Sequence, residues 1–281
     1  MSQEYPEVTI PNTQSRTLHS SIVGQEFRIS VALPYTYSSS NDNYPVIYFP
    51  DALATFGTVT ETSRALNFLK EITEVIIVGI DYPMSEFRDT LGVRFRDLTP
   101  SVNNDWLDEN IEDFSKSFDV HLETDGTGGA DNFVQCIQDE LMPFIEANYR
   151  VNPENKTLFG ASLGGLFALY VLFHYSDVFN RYMIVSPSIW WDDKVTFKYE
   201  EKYAAENNDL PATIFMSVGS LEEPDDEPDE SAMRTNMQKL AKLLEDRKYK
   251  GLTLKTHIFE NETHISVGPA AISRGLRMLF G

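Results

Sequence analysis

The alternation of apolar and polar residues near the start of the chain predicts a pair of antiparallel strands. Thr17–Val23 and Phe27–Leu33 alternate in character on either side of Gly24, as strands with one buried face do. Two later runs, Val46–Phe49 and Val75–Ile80, are apolar throughout. Continuous apolar runs of this length indicate central strands that are covered on both faces. The pattern therefore places an antiparallel pair at one edge of a sheet, with buried strands inside it.

Further along, segments of strand and helix character alternate. Phe133, Ile137, Leu141 and Ile145 recur at helical spacing, and Pro143 is expected to kink that helix. The other predicted strands are a short run from Thr157, Tyr182–Ser186, Ala212–Val218 and Thr253–Phe259; the other predicted helices are Thr60–Lys70, one that ends near His174, Ala232–Arg247 and Pro269–Phe280. Strands that alternate with helices predict a mostly parallel sheet with helices on both faces. We expect eight strands in one α/β domain that spans residues 1–281.

Two segments interrupt this alternation, residues 84–129 and Pro187–Leu210. The first contains several arginines and a glycine-rich run, and the second contains adjacent tryptophans and a charged amphipathic stretch. Long excursions within a compact domain are usually functional covers or disordered segments. We expect these two to form the cover on the substrate side.

The charge of the chain narrows the possible partners. Its 43 acidic and 23 basic residues give a formal net charge of −20. A surface this negative repels phosphate backbones and anionic lipids, which argues against a nucleic-acid or membrane-surface role. The single cysteine, Cys136, cannot form an intramolecular disulfide, and its place on the apolar side of a predicted helix indicates a buried structural thiol.

The start of the sequence bears on localisation. Met1–Pro6 has neither a basic nor an apolar region, so we see no signal peptide there. No apolar run approaches the length that spans a membrane. We expect a cytoplasmic protein, unless a leader was trimmed from this sequence.

The segment from Thr157 to Tyr170 carries the candidate nucleophile. Gly160-x-Ser162-x-Gly164 lies between a short buried strand and an apolar helix, which is the context of a nucleophile elbow. On such a turn the serine hydroxyl projects from the sheet, and the neighbouring positions have no room for side chains. The amide of Leu163 then lies at a helix N-terminus, where it can stabilise negative charge on a substrate oxygen.

A serine hydroxyl needs a base to remove its proton, and five histidines are candidates. His264 follows the last predicted strand, which is where this topology places the base. His121, in the first excursion, is the competitor. His257 lies within a predicted strand, His174 ends the elbow helix and His19 is on an edge strand, so we expect these to be structural.

The acid that orients the base should follow the strand that ends at Val218. Glu222 is the first carboxylate after that strand, and a residue at the end of a rigid element is positioned better than one in a mobile loop. Asp225 and Asp226 in the same acidic run are the alternatives. The run has no spacing typical of a calcium site.

A second oxyanion donor should come from the loop after the third strand. The amide of Ala52 or that of Leu53 is the candidate, and Asp51 could equally be an ordinary helix or turn cap.

Candidate substrate contacts come from the two excursions. Trp190 and Trp191 could form an aromatic wall or could be core residues beneath the cover. Arg94 or Arg96 could meet an anionic group of the substrate, or could form a salt bridge with Asp97 or another carboxylate.

Several segments resemble motifs of a known family. They are Tyr44–Tyr48 leading to Asp51, Arg96–Pro100 as part of an Arg-x-x-Asp-Leu-Thr-Pro-type loop, Glu140–Ile145 with Tyr149-Arg150, Ser186–Asp192 and Thr263–Val267. Together with the elbow they resemble the esterase D-like branch of the α/β-hydrolases, above all its bacterial siderophore-esterase-like members. That branch also includes S-formylglutathione hydrolases, feruloyl esterases and mycolyltransferases.

The resemblance implies an α/β-hydrolase fold with Ser162 as nucleophile, His264 as base and the acid after strand seven. The chain departs from the family at one position. Many relatives carry Asp-Gly where this chain has Asp51-Ala52. If that glycine adopts a positive φ, the oxyanion loop here should have a different shape.

These observations predict a serine-dependent carboxylic ester hydrolase that acts on a small acyl ester through an acyl-enzyme intermediate. Within the same family, the alternatives are a trilactone siderophore esterase and an acyltransferase that uses an alcohol other than water. The alternative of a different class is a hydrolase fold that has become a binding module. A structure in which Ser162 and His264 lie far apart would favour that alternative. We expect no metal or organic cofactor and a small-molecule ester as partner. The sequence leaves the oligomeric state open.

Overall fold

The computed structural model describes residues 8–119, 125–223 and 231–281. Its centre is an eight-stranded sheet with the order β1-β2-β4-β3-β5-β6-β7-β8. The strands are β1 (Thr13–Ser20), β2 (Gln25–Ala32), β3 (Tyr44–Phe49), β4 (Ile76–Asp81), β5 (Val151–Ala161), β6 (Arg181–Val185), β7 (Thr213–Gly219) and β8 (Thr253–Phe259). The β1–β2 and β2–β4 pairs are antiparallel, and all other neighbours are parallel. The predicted eight-stranded, mostly parallel α/β fold is confirmed.

The hairpin at the sheet edge is shifted from its predicted position. β1 ends at Ser20 and not at Val23, because the chain turns over residues 21–24. The Gly24 amide donates to the Ser20 carbonyl at 3.1 Å, and Gly24 has a φ of 78°. That left-handed conformation is easily adopted only by glycine.

Nine helices are found in the described ranges. They are α1 (Ala52–Phe68), α2 (Leu91–Leu98), α3 (Asn104–Phe118), α4 (Ala130–Cys136), α5 (Met142–Asn148), α6 (Leu163–His174), α7 (Trp191–Glu206), α8 (Met233–Arg247) and α9 (Val267–Phe280). Short 3₁₀ turns precede α2 and follow β7.

The helices cover both faces of the sheet, so that consecutive strand residues enter different apolar clusters. Phe49 and Phe159 pack beneath α1 and α9, whereas their neighbours Tyr48 and Leu158 face the cluster that includes α6. Side chains of a strand alternate between faces, so a strand buried on both sides is apolar at every position. This explains why β3 and β4 read as continuous apolar runs.

The helix before the elbow is interrupted near Pro143, as predicted. α4 passes into a π-helical segment, Ile137–Leu141, and α5 follows with Pro143 in its first turn. Proline lacks an amide hydrogen and is best tolerated in a first turn, so the irregular segment gives it such a position.

The prediction of an irregular stretch over residues 84–129 is wrong for much of its length, because it contains α2 and α3. Leu91, Phe95 and Leu98 lie on one side of α2 at spacings of four and three, and all three are buried. The second excursion holds α7, whose backbone is non-helical at residues 192–194. In the described residues, both excursions therefore contain helices.

Two glycine-to-alanine replacements should have opposite effects on stability. A Cβ at Gly57, inside α1, would lie 3.6 Å from Ile10 Cδ1, which is an ordinary contact. We expect Gly57→Ala to raise the free energy of unfolding by about 0.4–1 kcal/mol, because alanine restricts the unfolded chain.

A Cβ at Gly160 would lie 1.9 Å from the Gly164 carbonyl oxygen. We expect Gly160→Ala to cost at least about 2 kcal/mol, since rigid backbone must move. Urea denaturation of both variants measures this, and equal midpoints would contradict it.

Candidate active site

The turn between β5 and α6 holds Ser162 in a strained conformation. Ser162 has φ 58° and ψ −120°, an arrangement that L-residues rarely adopt. Its amide donates to the Val185 carbonyl at 3.0 Å, and its carbonyl accepts from the Ser188 amide at 3.1 Å. A Cβ at Gly165 would lie 2.9 Å from Pro187 Cα. The segment after β6 therefore fixes the turn from one side, and close packing requires the glycines.

Glu222 and His264 are in direct contact. The Nδ1 nitrogen of His264 lies 2.7 Å from Oε2 of Glu222. The Glu222 side chain is only 1% exposed, whereas that of His264 is 41% exposed. The other carboxylate oxygen of Glu222 accepts hydrogen bonds from the Ser186 hydroxyl at 2.6 Å and from the Gly219 amide at 2.7 Å. These donors satisfy the buried carboxylate and fix its orientation.

The loops after β7 and β8 are joined next to this pair. The Leu221 amide donates to the Glu262 carbonyl at 3.0 Å, and the Asn261 amide donates to the Ser220 hydroxyl at 2.9 Å. A Cβ at Gly219 would lie 2.2 Å from the same Glu262 oxygen. Close backbone approach therefore sets the positions of Glu222 and His264 relative to each other.

Ser162 and His264 line two cavities. The first has a volume of about 510 Å³ and also contacts Glu222 and the oxyanion candidate Leu163. The second has a volume of about 360 Å³ and extends between the N-terminal ends of α1 and α9. The remaining residues of the first are Leu91, Arg94, Phe95, Ser188, Trp190, Leu221, Ser231, Met233 and Thr263. Ser162 and His264 thus border the same two cavities.

The loop after β3 carries Ala52 and Leu53, the two candidates for the second oxyanion donor. Asp51 is left-handed with a φ of 60°, and α1 begins at Ala52, whose own φ is not positive. The Leu53 amide donates to the carboxylate of Asp81. A Cβ at Gly79 would lie 2.5 Å from that of Ala52, so the alanine methyl occupies space that Gly79 leaves open. Alanine therefore fits at this position without the backbone strain that a left-handed residue would bring.

The two candidate arginines are placed differently. Arg94 forms two hydrogen bonds with Asp51 and lines both cavities. Arg96 does not line either cavity; it pairs with Asp97 at 2.7 Å and with Gln25 at 2.6 Å. Both arginines therefore form salt bridges, and of the two only Arg94 also lines the cavities.

The two tryptophans are likewise separated. Trp190 lines the first cavity, whereas Trp191 is fully buried and donates its indole N–H to the Ser101 hydroxyl at 3.1 Å. Trp191 is therefore a core residue and not part of the aromatic wall. Trp106 of α3 packs against both, with ring centroids 5.1 Å from Trp190 and 5.3 Å from Trp191. The contribution of Trp106 was missed because α3 was not predicted.

The other histidines lie where the sequence placed them. His257 is within β8, His174 ends α6 and His19 is on the edge strand β1. The competing base His121 and the alternative acids Asp225 and Asp226 lie outside the described residues.

Cys136 is buried and unbridged, and burial raises the pKa of its thiol to about 12. This agrees with the predicted structural thiol. In the part of the chain that the structure describes, no group of three or more histidine, cysteine, aspartate or glutamate side chains is arranged to hold a metal ion.

Sequence reasoning also missed Ser186, Ser188 and Asp81. Each lies at or just after the carboxyl end of a parallel strand, the position of the candidate nucleophile itself. Ser188 Oγ lies 3.5 Å from Ser162 Oγ. Their position relative to the strand ends is the sequence signal by which these residues could have been found.

Comparison with known proteins shows which family the chain belongs to. A family model described as "Putative esterase" matches residues 20–91 and 104–265. Ferri-bacillibactin esterase BesA of Bacillus subtilis is 34% identical over 274 residues, which are 96% of this chain and 90% of that protein. Siderophore triacetylfusarinine C esterase of Aspergillus fumigatus is 29% identical, over 97% and 94% of the two chains. The crystal structure of the BES protein from Bacillus cereus superimposes with a TM-score of 0.82 at 32% identity, and covers 100% of this chain and 99% of that one.

The chain belongs to this esterase family. The predicted resemblance to the siderophore-esterase-like α/β-hydrolases is confirmed, and the protein is a serine-type ester hydrolase. Among the described residues of the esterase, no helix is both long and apolar enough to cross a bilayer.

One carboxylate of the esterase is unusually placed. Asp81 is 3% exposed and accepts from the Tyr82 and Leu53 amides beside the N-terminus of α1. Burial raises the pKa of Asp81 to about 6, and these two hydrogen bonds only partly oppose the shift. The native esterase therefore holds this proton more tightly than the unfolded chain does. The stability from the protonated form is present at low pH and is lost as the pH rises through about 6.

Replacement of Asp81 by asparagine should remove this pH dependence. The variant loses one acceptor at every pH, which adds a constant difference in Tm. The wild type also loses stability as Asp81 ionises, and the variant does not. We therefore expect the Tm of the variant minus the Tm of the wild type to increase by about 2 °C or more between pH 5 and pH 7.5. Calorimetry across this range measures the difference, and parallel Tm curves for the two proteins would contradict the assignment.

Proposed function

We propose that Ser162, His264 and Glu222 form the catalytic triad of this ester hydrolase. The observation that carries the proposal is the 2.7 Å contact between His264 Nδ1 and Glu222 Oε2, at a cavity that Ser162 also lines. The residues occur in the chain order that this topology requires.

The reaction starts with attack of Ser162 Oγ on the ester carbonyl, while His264 Nε2 accepts the hydroxyl proton. The amides of Leu163 and Ala52 stabilise the oxyanion, because the Leu53 amide already donates to the Asp81 carboxylate. His264 then protonates the leaving alcohol, and the acyl group stays on Ser162. In the second half, His264 takes a proton from the water that attacks the acyl-enzyme, and returns a proton to Ser162 Oγ as the acid is released.

Glu222 acts through the imidazole. Because Oε2 accepts the Nδ1–H hydrogen bond, the neutral ring keeps its free lone pair on Nε2. The negative charge of Glu222 also stabilises the imidazolium that forms during attack. The bonds from Ser186 and Gly219 keep the carboxylate in place through both half-reactions.

We further propose that the substrate is an ester-linked siderophore. This rests on the relatives named for ferri-bacillibactin and triacetylfusarinine C hydrolysis, which match nearly the whole chain. Two cavities that meet at Ser162 offer separate space for the acyl side and the alcohol side of a bulky ester. Trp190 supplies an aromatic surface in the first of them.

Replacement of Ser162 by alanine should abolish ester hydrolysis and labelling by a fluorophosphonate probe, with the fold unchanged by circular dichroism. Ser188→Ala is the matched control, because its hydroxyl lies 3.5 Å from that of Ser162. We expect this control to keep its labelling and to lose at most about tenfold in kcat. Turnover that survives in Ser162→Ala would contradict the assignment of the nucleophile.

The substrate class needs a separate measurement. We expect the wild type to open a trilactone siderophore to linear products that mass spectrometry detects, alongside short acyl esters, thioesters and feruloyl esters as comparison substrates. Added acceptor alcohols distinguish hydrolysis from acyl transfer, because transfer produces a new ester of the added alcohol. If the short esters react and the siderophore does not, the siderophore proposal fails while the esterase mechanism stands. Fractionation of cells tests the predicted cytoplasmic location.

A further inference from the structure

We propose that Arg94 is a positioning residue for the oxyanion loop and that it cancels the charge of Asp51 beside the developing oxyanion. The inference rests on the proposed function, because it concerns the loop that supplies one oxyanion donor. It assigns the cover helix α2 a direct part in the reaction, apart from covering the substrate.

The Arg94–Asp51 pair is bidentate and buried. Arg94 Nε lies 2.9 Å from Asp51 Oδ1, and one terminal nitrogen lies 2.7 Å from Oδ2. The two side chains are only 10% and 12% exposed. The guanidinium also lies 5.5 Å from the centre of the Phe87 ring. This geometry fixes the planes of both groups and excludes most water from them.

The pair acts on the backbone where the candidate donors begin. Asp51 is the left-handed residue that directly precedes Ala52, so the orientation of its side chain and that of the next amide are linked. On the other side, Asp81 accepts the Leu53 amide. The loop is thus held by two carboxylates, and only Asp51 has a basic partner that contacts the cavities.

Asp51 also lies next to the turn that carries the nucleophile. Its Oδ2 atom would be 3.8 Å from a Cβ at Gly164, two residues after Ser162. An unpaired carboxylate beside this turn would oppose negative charge on a substrate oxygen bound at Ser162, and low local dielectric would strengthen the repulsion. Arg94 removes that repulsion in addition to holding the loop.

Turnover of p-nitrophenyl acetate, a small neutral ester, tests both effects. We expect Arg94→Met to lower kcat by about 10²–10³-fold, comparable to the loss of one oxyanion donor, with KM changed by less than about threefold. Arg94→Lys keeps the charge without the bidentate geometry, so its kcat should lie between those of the wild type and Arg94→Met, about tenfold below the wild type.

The double variant Arg94→Met/Asp51→Asn separates charge from simple loss of structure. Because it lacks the unpaired carboxylate, we expect its kcat to be at least about fivefold above that of Arg94→Met. A double variant as slow as the single one would overturn the charge cancellation.

Arg247→Met is the matched control. It breaks another bidentate Arg–carboxylate pair, with Glu200, which is fully buried and makes no contact with the two cavities. We expect it to lower Tm with kcat unchanged. Equal losses of kcat in Arg94→Met and Arg247→Met would show a purely structural effect and overturn the inference.

Failure of this inference is distinguishable from failure of the proposed function. A wild type that hydrolyses the ester through Ser162, together with an Arg94→Met variant of wild-type kcat, overturns the inference alone. If Arg94→Met does not fold, Arg94→Lys and the double variant still provide the comparison: Arg94→Lys with wild-type kcat would count against the inference, and a tenfold loss with KM unchanged would support it.

Discussion

Parallel pairing from β4 through β8 is the constraint on which the site depends. In parallel strands all carboxyl ends lie at one edge of the sheet, so residues distant in sequence meet there. Asp51 follows β3, Ser162 follows β5, Glu222 follows β7 and His264 follows β8. The antiparallel β1–β2 hairpin contributes none of these groups and closes one edge of the sheet.

Close backbone approach makes this edge rigid. Glycine positions at the ends of β5 and β7 bring the neighbouring loops nearer than any side chain would allow. Ser186, just after β6, donates to Glu222, and Ser188 donates its amide to Ser162. The loop after β6 therefore connects the turn of Ser162 with Glu222.

The chain carries a large negative charge, yet the charged groups at the site are balanced. Glu222 faces His264, and Asp51 faces Arg94. Buried charges need partners, because an unpaired carboxylate loses its hydration without compensation. Among the described residues that line the two cavities, each carboxylate has a basic partner.

Much of this arrangement could be predicted from the sequence, since strand patterns and the elbow motif depend on local chemistry. Strand order places the acid in the loop after β7, and the first carboxylate of that loop is Glu222, which contacts His264. The helices of the first excursion were missed because charged residues mask the short apolar stripe of α2. Tertiary packing decides which of the two tryptophans is buried and which of the two arginines contacts the cavities. The sequence cannot distinguish the members of each pair, because they are identical residues close together in the chain. The fit of Ala52 depends on Gly79, which is distant in sequence.

In the proposed mechanism, Ser162, the Leu163 amide and the loop of residues 51–53 surround one substrate carbonyl, and His264 is the base. A crystal structure of the protein after reaction with a fluorophosphonate tests this most directly. We expect phosphorus bonded to Ser162 Oγ, with the phosphoryl oxygen about 2.7–3.1 Å from the amides of Leu163 and Ala52. Phosphorus on another residue, or a phosphoryl oxygen that points away from both amides, would contradict it.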